Sequence, residues 1–403
     1  MGASDGTAEK GFAVSHLRIG FFTEIYRPVV NGVVASVDTL AEGLRERGHE
    51  VYCFAPSMPG APASDGAVFR LPSLPLPTAT PYRLTLPLVG RRNVNNVIKR
   101  LSLIHVHSLF VTGWAGLRYA RRYGMPIVYT YHTQLEAYAH YVPFEPNATR
   151  FAAAQLTRTF GNLVDAVVVP TPGIARHLRE LGVEARIDVV PTGIDVERFG
   201  AGRRDERMRR RMGARAGDRL VLFVSRLARE KNVDILLRAL ADANDPSLAL
   251  AIAGDGPERG DLEALAVELR IAERVAFLGV VAQEELPDLY ASADAFVFPS
   301  TTETQGLVQA EALAAGAYVI AADAPSNRDV LGDAARIVPP DRAAFASALR
   351  EVPAVPDAEQ SLRSKAAARR FSAGVQVERM TELYESLLDP DPDRGRTVPA
   401  RCG

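Results

Sequence analysis

Two carboxylates, Glu303 and Glu311, stand eight positions apart in TTETQGLVQAEALAAGA, residues 301–317. The apolar run AFVFPS before them reads as a strand, TTETQG as a loop and LVQAEALAAGA as a helix. The free backbone N–H groups at such a helix start, around Gly306 and Leu307, form a site suited to a phosphate. Glu303, in the loop, can then reach neutral hydroxyls beside that anion. Glu311, about one turn into the helix, can accept hydrogen bonds from a second hydroxyl pair such as a ribose. The spacing alone equally fits two surface glutamates on a helix.

A second stretch shifts that balance. SRLAREKN, Ser225 to Asn232, directly follows an apolar strand and carries Arg226 and Lys231, two cations with the reach to clamp a diphosphate. Arg229 is expected to face solvent. A basic loop after a strand is by itself an ordinary solvated turn. Joined in one domain to a helix start flanked by glutamates, it describes a site for phosphates and hydroxyls together, which a nucleotide-sugar supplies.

Such a site needs elements to hold it. The chain alternates short β-branched runs (LRIGFFT, EVYCFAP, LIHVHS, PIVYTYH, AVVVPT, IDVVPT) with helical patterns such as VASVDTLAEGLRERGH. Continuous apolar runs of this kind are strands of a parallel sheet covered on both faces. The pattern lapses in the arginine-heavy DVERFGAGRRDERMRRRMGARAGD, residues 195–218, and resumes with LVLFVSR, LALAIAG, RVAFLGV, AFVFPS, AYVIAAD and ARIVPP. At 403 residues two domains are expected. The simplest architecture is α/β: two doubly wound parallel-sheet domains in tandem, with ligands at the carboxyl ends of strands facing a cleft. The expected organisation is a disordered stretch at 1–16, a first Rossmann-like domain over 17–195, a second over 196–370, a helix at 371–388 packing back on the first domain, and a disordered tail over 389–403.

Taken together, these residues resemble retaining glycosyltransferases of family 4, which have the two-Rossmann-domain GT-B fold. The resemblance covers about residues 17 to 388 and rests on the E-x7-E pair Glu303 and Glu311, SRLAREKN, GDGPE at 254–258 and VVPTGID at 189–195. It implies that Glu303 lies near the donor sugar, that Glu311 binds the ribose, that Arg226, Lys231 and the amides of Gly306 and Leu307 hold the diphosphate, and that Leu278 and Gly279 border the nucleobase. The family's usual E-G-F-G is E-T-Q-G here, so Thr304 and Gln305 are expected to alter the sugar pocket. TEIYRPVVNGVVAS matches the family's glycine-bearing loop, with Asn31 and Gly32 where two glycines are usual; read without the family it is an ordinary strand-to-helix turn. His132, at the end of PIVYTYH, matches a histidine beside the donor sugar, whereas His105 and His107 read as structural. TYHT with Tyr138, His140 and Tyr141 looks like the diacylglycerol glucosyltransferases, with Tyr131, Thr133 and Tyr138 as acceptor-contact candidates.

The implied reaction is hexosyl transfer from a nucleoside diphosphate sugar, UDP-glucose favoured, to a hydroxyl acceptor such as diacylglycerol, with the anomeric configuration kept. No metal or other cofactor is expected, because cationic side chains and a helix start meet the diphosphate. An epimerase needs paired acid/base groups from both domains and a phosphorylase a cofactor lysine; neither set stands out. A purely nucleotide-binding protein has no use for His132 and Glu303 on one cleft.

Composition limits the partners. A net charge of -1 with 24% charged residues makes nucleic acid a poor partner. Cys53 and Cys402 cannot form a disulfide framework. MGASDGTAEKGFAVSH lacks the apolar segment of a signal peptide, and the longest apolar runs are strand-sized, so the expected location is cytoplasmic, peripheral on the inner membrane face at most. Residues 81–104 mix Leu84, Leu88, Val94 and Ile98 with Arg91, Arg92, Lys99 and Arg100. That pattern fits either a segment lying on anionic lipid or a surface helix packed on the sheet. Residues 1–195 hold 19 Lys+Arg against 15 Asp+Glu, the remainder 28 against 33, so the first domain is the more basic. DPDPD near the end and RRDERMRRRMGAR imitate a metal motif and a nucleic-acid patch, but neither has a strand to position it.

Overall fold

The structure is a computed structural model that describes residues 16–29, 31–61, 66–75, 83–86, 92–137, 145–354 and 357–389. The ends expected to be disordered lie outside this set except for His16 and Asp389, as do Arg91, Leu88, Tyr138, His140, Tyr141 and Cys402.

Among the described residues, the strands up to Val189 are β1 (Arg18–Phe22), β2 (Glu50–Pro56), β3 (Val68–Leu71), β4 (Ser73–Pro75), β5 (Arg83–Thr85), β6 (Leu103–Val106), β7 (Ile127–Thr130), β8 (Ala166–Val169) and β9 (Arg186–Val189). They form a parallel sheet in the order β3-β2-β1-β6-β7-β8-β9, with β4 and β5 as a separate antiparallel hairpin. The second sheet, also parallel, has the order β12-β11-β10-β13-β14-β15. Its strands are β10 (Arg219–Val224), β11 (Leu248–Ala253), β12 (Val275–Gly279), β13 (Ala295–Phe298), β14 (Val319–Ala322) and β15 (Ala335–Val338). Strands β6, β7, β8, β11, β13 and β14 are buried along their whole length, which is why they carry unbroken apolar sequence.

In each sheet the strand order reverses once, between β1 and β6 and between β10 and β13. Crevices for ligands open at such reversals, beyond the carboxyl ends of the strands. Asn31, His107 and His132 follow β1, β6 and β7; Arg226 and Glu303 follow β10 and β13.

The chain crosses between the domains twice, and the two crossings are bonded together. Ile194 N–H donates to Phe371 C=O at 2.7 Å, and Ala373 N–H returns to Ile194 C=O at 3.0 Å. Gly193 is required there, because a Cβ would sit 2.6 Å from Ala373 Cα. After the second crossing the helix Ala373–Leu388 lays Val377, Met380, Leu383 and Tyr384 into the core of the first domain, beside Val37, Leu40 and Leu44 of the helix Gly32–Glu46. Deep in that core Tyr384 Oη lies 2.6 Å from His105 Nδ1, and His105 Nε2 lies 2.6 Å from Thr130 Oγ1.

The stretch expected as one amphipathic segment over 81–104 is instead divided between β5 and a short helix, Arg92–Ile98. Val94 and Ile98 are buried in the first domain's core, as the packed-helix reading has it, while Lys99 and Arg100 just beyond the helix are exposed. The arginine-rich 195–218 segment folds as two short helices, Val196–Gly200 and Glu206–Arg211. Arg209 there is buried, 3.0 Å from the buried Asp294.

Candidate active site

The loop after β13 and the loop after β10 are tied to each other. Asn232 Nδ2 donates to Pro299 C=O at 3.1 Å, and Ser300 Oγ lies 3.3 Å from Glu230 C=O. Their side chains converge on Glu303: Lys231 Nζ lies 2.5 Å and Ser300 Oγ 2.8 Å from the same carboxylate oxygen, Oε1. Both charged side chains are largely buried, with 12% and 15% of their surface exposed, so the pair is shielded from water and its attraction little screened. Arg226 is more open and bonds Glu230 at 3.0 Å. Arg229 is exposed.

Gly306, at φ +76, turns the chain into the helix Leu307–Ala314, whose start no side chain caps. Gln309 N–H donates to Gly306 C=O at 2.9 Å, and the remaining amides of an uncapped start of this kind favour an anion. Glu311, one turn on, accepts a hydrogen bond from the Tyr290 hydroxyl at 2.8 Å. Burial disfavours its charged form and pushes its pKa up to about 7, against the smaller opposing effects of Tyr290 and Arg198. Leu278 and Gly279 end β12, where Gly279 C=O accepts from Gly254 N–H at 2.7 Å.

The first domain closes the other side. Asn31 caps the helix Gly32–Glu46 through Oδ1, 2.9 Å from Val34 N. A Cβ at Gly32 would lie 3.8 Å from Leu307 Cδ1, so this loop faces the start of the glutamate-bearing helix. His132 is partly exposed, two residues beyond β7, and Thr304 Oγ1 donates to its carbonyl at 3.0 Å. Burial pushes the His132 imidazole down to about 4.

Several assignments need correction. Gln305 is turned away from solvent: it is buried, accepting from Thr192 N–H at 2.7 Å and donating to Thr192 C=O at 2.9 Å, whereas Thr304 lines a small cavity beside His132. Gln134 Nε2 adds a bond to Glu303 C=O at 3.0 Å, and Thr171 Oγ1 lies 3.3 Å from Thr304 C=O. The whole Glu303–Gln305 stretch is therefore an interdomain clasp. Tyr131 is fully buried and directs its hydroxyl to Glu136 at 3.3 Å, so it packs beneath the site and is not a surface for an acceptor. His107 is buried too, but it reaches the cleft indirectly, with Nδ1 3.0 Å from His132 Nε2. Thr133 remains at the cleft, partly exposed. Ser300, Gln134, Thr192 and Tyr290 carried no sequence signal of their own, since their partners lie in other elements.

Comparison with known proteins agrees with this arrangement. The model of Glycosyltransferase Family 4 matches residues 30–198, and that of Glycosyl transferases group 1 matches residues 204–369. An alpha-monoglucosyldiacylglycerol synthase of Streptococcus pneumoniae is 33% identical over 330 residues, covering 79% of this chain and 74% of that protein.

The chain belongs to glycosyltransferase family 4.

Its fold is GT-B, and it is a hexosyltransferase. This glycosyltransferase is also 34% identical to a GDP-mannose-dependent alpha-mannosyltransferase of Mycobacterium tuberculosis, over 78% of its own length and 81% of the relative's. Among solved structures, the sucrose-phosphate synthase of Thermosynechococcus elongatus superposes with a TM-score of 0.73 at 22% identity, over 92% of this chain and 99% of that one, a likeness of fold.

Proposed function

We propose that this glycosyltransferase moves a hexose, glucose first among the candidates, from a nucleoside diphosphate sugar, UDP first, to a hydroxyl of a membrane lipid such as diacylglycerol, keeping the anomeric configuration. The observation that carries this reading is the convergence of Lys231, Ser300 and Glu303 beside the open start of the helix Leu307–Ala314, with His132 across the cleft. In the reaction the leaving diphosphate gains negative charge while the sugar becomes oxocarbenium-like. Lys231, Arg226 and the first-turn amides meet that charge in a preorganised site, so the reading invokes no metal. Glu303 already holds Lys231 and Ser300 on one oxygen, which suits a residue that orients sugar hydroxyls better than a nucleophile. The acceptor hydroxyl then attacks the anomeric carbon from the face the diphosphate leaves, the bond to the diphosphate oxygen breaks, and that oxygen takes the hydroxyl proton. In this reading Glu311 binds the ribose, and Leu278 and Gly279 border the nucleobase.

The lipid acceptor is supported by the likeness to monoglucosyldiacylglycerol synthases. It is supported also by the exposed Leu84, Phe110 and Trp114, on neighbouring elements that Glu24 ties together through Thr85 and Thr112. Lys99 and Arg100 are exposed beyond the buried face of their helix and, with Arg91 and Arg92, would supply attraction to anionic lipid. A second reading, a GDP-mannose donor with a different acceptor, follows from the mannosyltransferase relative.

The test is turnover of a panel of labelled donors, with chelator present, with and without diacylglycerol vesicles. Lys231→Ala and Arg226→Ala should each lower donor use by about 1.5 to 3 kcal/mol of transition-state stabilisation, with an unchanged circular dichroism spectrum. Near-normal turnover in both variants would remove the donor site. Activity lost on chelation would remove the metal-free reading, and transfer to soluble acceptors with no response to lipid would remove the lipid.

A further inference from the structure

We propose that His107 is a positioning residue that fixes the tautomer of His132, so that the imidazole facing the cleft presents a neutral Nδ1–H donor. The inference rests on the assignment of His132 to the reacting side of the cleft.

His107 Nδ1 and His132 Nε2 lie 3.0 Å apart, and the two rings are tilted by only 23°. That single contact holds one proton. A neutral imidazole carries one N–H and one lone pair, so the direction of the bond sets the tautomer of both rings. His105 cannot compete, because its nitrogens are taken by the Tyr384 hydroxyl and Thr130. It instead stacks against His107, ring centroids 4.1 Å apart, and holds it in place.

The other nitrogen of His107 decides the direction. Nε2 is buried with no hydrogen-bond partner among the described residues, and His107 lines a small cavity together with Ser36, Thr130, His132, Thr192 and Gln376. If His132 donated, His107 would have to bury an N–H at Nε2, the more costly group to leave unpaired. If His107 donates from Nδ1, only a lone pair is left there. His132 then accepts at Nε2 and carries its proton on Nδ1. Burial keeps both rings uncharged near neutrality, so neither arrangement is undone by a second proton. His132 is thereby a hydrogen-bond donor toward bound sugar or acceptor oxygens and is unsuited to act as a base.

The Nδ1–H form is the less common one for a free histidine, which makes it diagnostic. Long-range 15N–1H correlation spectra of the histidine-labelled protein without substrate, assigned by the signal lost in His132→Gln, should show His132 protonated at Nδ1 and bare at Nε2. In His107→Phe the His132 signal should shift toward the Nε2–H form. His107→Asn, whose Nδ2–H can replace the donor, should keep the wild-type pattern. In turnover, His107→Phe should lower kcat by about tenfold, the usual reach of one hydrogen bond, with KM changed far less, and His107→Asn should recover most of the loss. An Nε2–H signal in the wild-type protein overturns the proposed pairing without needing any variant to fold. The expected spectra with unchanged kcat in a folded His107→Phe protein overturn its use in the reaction, while the glycosyltransferase reading stands.

Discussion

Glu311 shows how much one carboxyl can depend on enclosure. Among the described residues its side chain takes one hydrogen bond, from the Tyr290 hydroxyl, and burial holds its pKa near 7 in place of 4.5. Between those values the folded protein keeps a proton that the unfolded chain releases, so this group lowers stability as pH rises from about 4.5 through 7. Glu311→Gln removes the titration. Its melting temperature relative to the parent should therefore rise on going from pH 4.5 to about pH 8 in the absence of donor, and a difference that stays constant with pH would show that the carboxyl ionises normally. A ribose that donates hydrogen bonds to the carboxylate would displace the proton, so donor affinity should tighten across the same window. The spacing of Glu303 and Glu311 was readable from sequence because both lie within one strand-loop-helix unit. Lys231 was readable as a cation, but its pairing with Glu303 across 72 positions was not. His107 was readable as a buried strand histidine, but its contact with His132 was not, because only the neighbouring strand β7 brings His132 against it.

At the scale of elements, the loop Ser300–Gly306 does two jobs, holding Glu303 against Lys231 and joining the domains. Gln305 makes both of its bonds to the backbone of Thr192. Gln305→Ala leaves a buried N–H and C=O without partners, at about 1 to 3 kcal/mol each. We expect donor KM to rise and the Thr192 amide to exchange its hydrogen at least about tenfold faster, while amides of β7 and β13 keep their protection. Equal loss of protection in those strands would mean that the clasp supports global folding and not domain closure. The long buried strands were legible because a strand covered on both faces must be continuously apolar. The edge strand β3 and the hairpin β4–β5 were not, since SLP and RLT are short, proline-flanked and only partly buried. The helix over 92–98 carried an amphipathic pattern that sequence alone could not orient; the core, not a membrane, takes its apolar side.

For the whole molecule, the decisive feature is the return of the helix Ala373–Leu388 to the first domain. Val377, Met380, Leu383 and Tyr384 are essentially buried there, and burying side chains of this size is worth about 1.5 to 3 kcal/mol each. Together that is comparable to the whole stability of an ordinary domain, about 5 to 15 kcal/mol. Tyr384 is also the partner of His105, so without this helix a buried imidazole loses its hydrogen bond. On the ribosome, where early domains usually fold while later ones are still being made, the first sheet is expected to wait, because part of its core comes from a helix that follows the whole second sheet in the chain. Nascent chains stalled before Ser372 has emerged should stay sensitive to protease throughout β1–β9, with the second sheet already resistant, and early resistance of the first sheet would contradict this. Translation order and folding order would then be reversed, the first sheet of the chain becoming complete only after the second.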